Sequence, residues 1–381
     1  SIVGQPVHLL SPLVPSTYLL VALAGIEFGD HQRFTLKWAV LVCLALVVSP
    51  LGKVRIGGAK ATPDFSYAGW FAMLFAAGIG TDLMFFAVAE PATQYLNPPT
   101  GKGGTVESAR EATVWTLFHY GITGWGMYTL MGLALGYFAH RKGLPLAVRS
   151  ALYPLFGKRI KGVAGDAVDV ATMIGTIFGV ATSLGIGVVM LNVGLGVMFD
   201  VPQGIPAQIG LVVLAVATAT VSATTGVDRG IRLLSQLNVL LAILLALWIL
   251  VTGETAFLLR AITMNVGDFV SMFPGMTLDT MAYDHPTEWM SLWTLFFWAW
   301  WIAWASFVGM FPARISKGRT VREFVLGVLF APTLFTIIWF VTFGWSALRI
   351  DGNAFRIIGV LDQWRPTPRF YDMTNERFSG V

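Results

Sequence analysis

Two carboxylic acids, Asp82 and Glu90, stand about two helical turns apart in the apolar run at 66–91. A carboxylate is costly to bury in membrane hydrocarbon, so it marks a functional site by default. Asp82 follows the Gly-rich letters AAGIG, a stretch that is able to unwind and line a cavity. Glu90 precedes Pro91, which favours a structural place at the membrane interface. Asp82 is therefore the candidate for binding a cation or exchanging a proton.

Aromatic side chains form a second candidate site, in the run at 290–312. Its rings continue over three helical turns and cover every face, whereas an interfacial belt would place them at the ends. Some of them must therefore point into the protein. There they either pack or hold a quaternary ammonium, which is bound by cation–π attraction worth about 0.5–2 kcal/mol per ring. The rings are Trp293, Phe296, Phe297, Trp298, Trp300, Trp301 and Trp304.

A third group lies in the run at 113–139, within the letters FHYGITGWGMY. Tyr120, Trp125 and Tyr128 are spaced among glycines that leave room beside the rings. Interfacial anchoring and packing are the alternatives to a binding role for them. His119 adds a titratable group, and a lone histidine of this kind is more often a satisfied core residue than a proton carrier.

The composition indicates what must position these side chains. Hydrophobic residues make up 55% of the 381 residues and charged residues 12%, against roughly 25% charged in a soluble domain. The 41 glycines are typical of membrane helices rather than soluble ones. Cys43 is the only cysteine, so a disulfide framework and a cysteine metal site are excluded. The chain is therefore predicted to be an all-α polytopic membrane protein.

Eight runs have the length and apolar character of a spanning helix, which needs about 20 such residues. They are 34–51, 66–91, 113–139, 166–199, 205–225, 233–253, 290–312 and 322–346. A weaker run at 14–28 is interpreted as a remnant helix within an N-terminal segment 1–33. Residues 255–274 are amphipathic and are predicted to form an interfacial helix.

Basic residues are concentrated in alternate loops, as expected when those loops face the cytoplasm. The basic loops are 52–65, 140–165, 226–232 and 313–321. The other loops contain only Lys102, Arg110 and Arg260. The net charge of +4 is therefore no sign of nucleic-acid binding. No phosphate-binding loop, H-E-x-x-H motif or nucleophile elbow is present, so the sequence predicts neither an enzyme nor an ATP-driven pump, and no cofactor or metal.

Several motifs resemble one known family. They are WTLFFWAWWIAWASFVGMF with ARISKGRTVREF (293–324), GIGTDLMFFAVAEP (78–91), FHYGITGWGMY (118–128), YFAHRKGLPLAVRSALYPLFG (137–157) and ATSLGIGVVMLNVGL (181–195). Over about 34–350 the sequence resembles the betaine/choline/carnitine transporters, secondary transporters of quaternary ammonium compounds. Thr81-Asp82 stands where the family's sodium-coupled betaine carriers have glycines. This difference favours the bacterial proton-coupled choline transporters.

The resemblance implies a LeuT-type fold of inverted five-helix repeats, in which the first helix of each repeat is broken around the substrate. Residues 34–350 form the transporter domain, with a complete first repeat from 66–91 to 233–253. The second repeat is partial, so the chain is expected to be C-terminally truncated. The tail 351–381 is predicted to be poorly structured and unlike the family.

The resemblance also assigns roles to residues. The aromatic box that holds the substrate is expected to comprise Tyr120, Trp125, Tyr128 and Trp301, with Asp82 beside it. The neighbouring pathway and gate residues are expected to be Phe296, Trp300 and Trp304. Asp82 is the expected coupling group, and His119 is the second proton carrier.

The implied function is import of choline by proton symport for osmoprotection, in the bacterial inner membrane. The expected partners are choline and the lipid bilayer, and a homo-oligomer is left open. A sodium-coupled glycine betaine or carnitine carrier is one alternative. A truncated member without transport activity is another.

Overall fold

The computed structural model of the protein describes residues 41–224, 232–279, 281, 283–284 and 286–349. Across these residues the secondary structure is helical, apart from one isolated antiparallel bridge between Arg55 and Thr320. The expected remnant helix, the start of the 34–51 run and the tail 351–381 lie outside the described residues. The described part begins with helical residues 41–48 and a 3-10 turn, Pro50–Lys53.

Eleven helices of the described part carry the argument. They are α1 (Tyr67–Ala77), α2 (Thr81–Leu96), α3 (Val106–Tyr120), α4 (Ile122–Gly136), α5 (Val163–Phe199), α6 (Ile205–Thr224), α7 (Arg232–Thr252), α8 (Thr255–Leu278), α9 (Thr287–Leu292), α10 (Thr294–Ile315) and α11 (Val321–Arg349). Shorter helical segments at Tyr137–Arg141, Val148–Ala151, Tyr153–Phe156 and Gly157–Lys161 connect α4 to α5.

Five helical segments of the described part are long and apolar enough to cross a membrane, and α1 with α2 makes a sixth if the bent pair counts as one span. The five are α5, α6, α8, α9 with α10, and α11. This architecture confirms the predicted all-α polytopic membrane protein.

Two of the predicted spans are interrupted, as the inverted-repeat expectation requires. Ser66 caps the start of α1 by accepting a hydrogen bond from the Gly69 amide at 3.2 Å. The helix stops at Gly78 and restarts after Gly80, and α2 leaves at 59° to α1. The second interruption lies at Trp293, between α9 and α10. At the second break the Trp293 amide still donates to the Trp289 carbonyl and the Trp293 carbonyl still accepts from the Phe297 amide, so the chain changes direction there without losing these two hydrogen bonds.

The run at 113–139 is not the single helix that its hydropathy predicts. It is divided between α3 and α4, because Gly121 leaves the helical conformation with ψ at −131°. A β-carbon at residue 121 would lie 2.5 Å from the Leu117 carbonyl oxygen, so the sharp turn there requires glycine. The break lies directly beside Tyr120, one of the expected binding residues.

Helix α8 extends over 24 residues and reaches Leu278, beyond the predicted 255–274. Its length and composition also suit a membrane span. Near its centre Asp268 pairs with Arg110 at 2.5 Å, and Arg110 belongs to the loop predicted to face outward with α8. The interfacial placement of α8 stays a prediction that this ion pair supports.

Loops assigned to the cytoplasm from their basic residues meet in the folded chain. The Ile56 amide donates to the Arg319 carbonyl at 2.8 Å, which joins the loop before α1 to the loop before α11. The Arg141 guanidinium donates to the Arg55 carbonyl at 3.1 Å and so ties a third basic loop to the same place. These contacts show that the three loops share one end of the molecule.

Helix α10 packs along α4, and this crossing forms the centre of the structure. The two backbones approach closely at Gly132 and Gly309, where a β-carbon on Gly132 would lie 2.8 Å from the Gly309 carbonyl oxygen. Small residues allow such close approach of membrane helices. Pro312 is buried inside α10, which continues to Ile315.

Candidate aromatic and carboxylate site

Trp301 of α10 is fixed by two contacts with the α3–α4 region. Its indole Nε1 donates to the main-chain carbonyl of His119 at 2.9 Å. The face of the indole lies on Gly124, where a β-carbon would be 2.7 Å from Trp301 Cε2. Only glycine at residue 124 leaves room for this ring. The break at Gly121 separates these two contacts, so the turn between α3 and α4 positions Trp301.

Tyr120 and Tyr128 present their rings to Trp301 edge-to-face. The ring centroids are 5.3 Å apart for Tyr120 and 5.5 Å apart for Tyr128, with interplanar angles of 89° and 86°. Trp125 stacks edge-to-face on Tyr128 with centroids 5.3 Å apart. The four residues of the expected box are therefore brought together, with Tyr120 and Tyr128 on Trp301 and with Trp125 joined through Tyr128.

Asp82 lies in the first turn of α2, where the positive end of the helix dipole stabilises a carboxylate. Its Oδ2 accepts a hydrogen bond from the Ser183 hydroxyl at 3.1 Å. Its Oδ1 is buried and accepts none. One turn further along α2, the ring of Phe86 lies 5.8 Å from the ring of Tyr120, centroid to centroid. An acceptor with free hydrogen-bonding capacity thus lies on the helix that packs against the aromatic box.

The expected pathway and gate residues divide into two places. Phe296 and Trp300 pack on one another with ring centroids 5.1 Å apart, and both contact Phe86 of α2. Trp304 lies against α5 instead, because a β-carbon on Gly179 would be 3.0 Å from its Nε1. That Nε1 is buried and has no hydrogen-bond partner.

His119 is fully buried and pairs with Glu90. Its Nδ1 lies 2.5 Å from Glu90 Oε1, and its Nε2 lies 3.0 Å from the hydroxyl of Thr294 at the start of α10. The Glu90 side chain is 0% exposed and so does not face the surroundings of the protein, and its depth in the membrane stays a prediction. Pro91 does not end α2, which continues to Leu96 and carries Glu90 into the core.

Sequence reasoning missed three of these partners. Glu90 and His119 were both ionisable groups in apolar runs, and such groups usually pair with one another, so this pair had a signal. Ser183 lies in a helix, where a hydroxyl side chain more often bonds back to a carbonyl of its own helix. That bond is made by its neighbour Thr182, which donates to the Phe178 carbonyl at 2.9 Å. Thr294 carried no signal in the sequence.

The arrangement can hold a cation and can hold a proton at separate places. Aromatic faces and an adjoining carboxylate suit a quaternary ammonium, while the buried acid–imidazole pair suits a proton. Within the described residues, no three His, Cys, Asp or Glu side chains gather where they could hold a metal ion.

Comparison with known proteins identifies related chains. The sequence model of the betaine/carnitine/choline family transporters matches residues 26–376. This match begins before and ends after the stretch 34–350 over which the motifs show the resemblance, so it includes most of the tail.

Three curated relatives illustrate the similarity. The high-affinity choline transport protein of Escherichia coli (strain K12) is 60% identical over 84% of this chain and 47% of its own length. The osmo-dependent choline transporter BetT2 of Acinetobacter baylyi is 52% identical over 90% of this chain and 52% of its own. A glycine betaine transporter of the same species is 42% identical over 93% of this chain and 54% of its own. The chain spans about half the length of these relatives.

Proposed function

The chain belongs to the betaine/carnitine/choline transporter family, and from this premise we propose that it imports choline by proton symport. As a member of that family it is an integral membrane protein and not an enzyme. The names of the two choline-transporting relatives support choline as the substrate, and the osmo-dependent one supports a role in osmoprotection.

The observation that carries the proposal is the setting of Trp301. The ring is held by a main-chain hydrogen bond and by Gly124, and two tyrosines meet its edges. A choline ammonium has no N–H to donate, so it depends on aromatic faces and on a nearby negative charge. The rigid Trp301 supplies the face, and Asp82 supplies the charge.

Asp82 also supports choline over glycine betaine. Choline is a cation that carries a hydroxyl group, and the unpartnered Oδ1 of Asp82 is a ready acceptor for that hydroxyl. Glycine betaine brings a carboxylate of its own, which would lie near a like charge. Because both ligands share the trimethylammonium group, the carboxylate at residue 82 decides between them.

Proton coupling requires a group that is protonated on one side of the membrane and released on the other. Asp82 and His119 are the two candidates that the sequence offers. The carbonyl of His119 holds the tryptophan of the aromatic box, and Asp82 lies on α2, whose Phe86 packs against Tyr120 of the box.

The test uses this chain purified and reconstituted into liposomes. Labelled choline uptake should rise with an inward proton gradient and be indifferent to sodium, and unlabelled choline should compete better than glycine betaine. Uptake that requires sodium and prefers glycine betaine would support the sodium-coupled alternative. Binding without any uptake would indicate a chain that has the site but does not transport.

A further inference from the structure

We propose that the transported proton is held by the buried pair of Glu90 and His119, while Asp82 serves the choline cation alone. This inference rests on the proposed function and assigns the two transported species, the proton and the choline cation, to two different carboxylates. It is carried by geometry: a fully buried acid–base pair that is hydrogen bonded to α10 and adjoins the aromatic box.

The pair has a defined place for one added proton. With a neutral imidazole, Nδ1–H donates to the Glu90 carboxylate while Nε2 accepts from the Thr294 hydroxyl, which leaves a net charge of minus one. An added proton either makes the imidazolium, whose Nε2–H then donates to Thr294, or enters at Glu90 Oε2. That oxygen is buried and has no hydrogen-bond partner. Either form of the protonated pair carries no net charge.

Among the residues that the structure describes, Glu90 forms an ion pair with His119 and with no lysine or arginine. A polar neighbour on α2 is Gln94, whose Oε1 accepts from the Trp289 indole of α9 at 2.6 Å. From α10 the polar neighbour is Thr294, and on α3 Tyr120 is the next residue along the chain. The other neighbours are the rings that touch the His119 imidazole, namely Trp115, Phe118, Trp289, Phe297 and Trp298.

An uncompensated charge in such a setting is costly. Because none of these neighbours is a cation, the proton itself is what neutralises Glu90. A carrier that has lost this proton would have to bury a bare carboxylate whenever the site closes.

Tyr120 connects the pair to the substrate. It follows His119 directly, and its ring packs on Phe86 of α2, the helix that carries both Asp82 and Glu90. Its ring also lies edge-on to Trp301. A choline cation in the box therefore compensates Asp82, and a proton on the pair compensates Glu90. The carrier with both cargoes has no unpaired carboxylate, whereas a carrier that holds only one of them has one, and this difference favours transport of one proton with one choline.

The proposal predicts different effects for two variants, Glu90→Gln and Asp82→Asn. A mechanism in which one carboxylate serves both the proton and choline does not predict this difference. Glu90→Gln keeps the shape and polarity of the protonated acid but cannot release a proton. In liposomes it should exchange labelled for unlabelled choline as the wild type does, yet lose all accumulation driven by the proton gradient. Asp82→Asn should instead lose choline affinity. Glu107→Gln, on the exposed first turn of α3, is the matched control and should behave as wild type.

Two further measurements test the proposal if Glu90→Gln does not fold. His119→Gln removes the other half of the pair and should give the same loss of gradient-driven accumulation. For the unmodified protein, a pH dye in weakly buffered solution should show no proton release when choline binds. If Asp82 carried the proton, choline would compete with it and release one proton for each choline bound.

Gradient-driven accumulation in Glu90→Gln, or proton release on choline binding by the wild type, would overturn this inference and leave the proposed function standing. A wild-type protein that shows no gradient-driven uptake would overturn both.

Discussion

Trp301 is the side chain on which the aromatic box depends, because both tyrosines contact it and α3 anchors it. Trp301→Leu removes the π face but leaves an apolar side chain in α10. Loss of a cation–π contact worth about 0.5–2 kcal/mol weakens binding roughly 2- to 30-fold. We expect this fall in choline affinity, measured with labelled choline and purified protein.

A tryptophan elsewhere provides the control. Trp248 of α7 is 65% exposed and remote from the box contacts. Trp248→Leu makes the same chemical change and should leave choline affinity as in the wild type. Equal affinities in the two variants would mean that Trp301 does not face the substrate.

Asp82 is expected to set the preference for choline over glycine betaine. Two charges about 5 Å apart at an effective dielectric constant of about 20 interact by about 3 kcal/mol. Asp82→Gly removes the attraction for choline and the repulsion of the betaine carboxylate. The ratio of the two affinities should fall by at least about tenfold.

Competition binding at a fixed pH measures that ratio. Asp64→Gly is the control. Asp64 is an exposed carboxylate that precedes α1 in the sequence, whereas Asp82 follows α1. A ratio unchanged in Asp82→Gly would exclude contact between Asp82 and the ligand.

The residues of the box were predictable, whereas their supports were not. Trp301, Tyr120 and Tyr128 are recognisable from their types and motifs. Trp301 is anchored by a main-chain carbonyl, and the type of the side chain at that residue gives no sign of this contact. Pro91 suggested a helix end beside Glu90, although proline is tolerated within α2, which continues to Leu96.

Among the helices, the crossing of α4 and α10 is where extra volume should cost most. Gly132→Ala places a β-carbon 2.8 Å from the Gly309 carbonyl oxygen, an atom of the backbone that cannot rotate away. Overpacking of this kind costs about 1–3 kcal/mol. We expect a lower Tm for Gly132→Ala in detergent.

Gly210→Ala on α6 isolates the packing contribution. A β-carbon there meets nothing within 4 Å, so only the helix propensity changes. Alanine is favoured over glycine in a helix by about 1 kcal/mol. The Tm of Gly210→Ala should therefore be equal to or higher than that of the wild type. A Gly132→Ala variant as stable as Gly210→Ala would show that α4 and α10 can separate without cost.

Glycine clusters indicate the helix breaks only in part. The sequence AAGIG indicates the interruption between α1 and α2, because Gly78 and Gly80 weaken the same turn. Gly121 also has glycines nearby, but the chain breaks only at Gly121 and continues as a helix through Gly124 and Gly126, and hydropathy does not register backbone torsion. It arises from tertiary packing, since the turn is what allows Trp301 to reach His119.

For the molecule as a whole, the charge distribution predicts which end faces the cytoplasm. Lys60 and Lys102 are exposed and lie in loops assigned to opposite sides. In a Cys43→Ser background, Lys102→Cys should react with a membrane-impermeant maleimide in intact cells. Lys60→Cys should react only after the cells are permeabilised.

Labelling of both positions under the same condition would contradict the assignment of loops to sides. The unmodified protein is the control for background labelling, since its only cysteine, Cys43, is buried. The contacts among Arg55, Arg141 and Arg319 agree with the assignment, because they unite three loops that the basic-residue rule placed together.

The bond from Trp301 to the carbonyl of His119 has a consequence for how this protein can evolve. Because the acceptor belongs to the main chain, every amino acid at residue 119 would supply it. Substitutions at residue 119 therefore leave the hydrogen bond of Trp301 in place, while they replace the imidazole that faces Glu90. During evolution the coupling ion can therefore change through residue 119 while the aromatic box that binds the ammonium group stays intact.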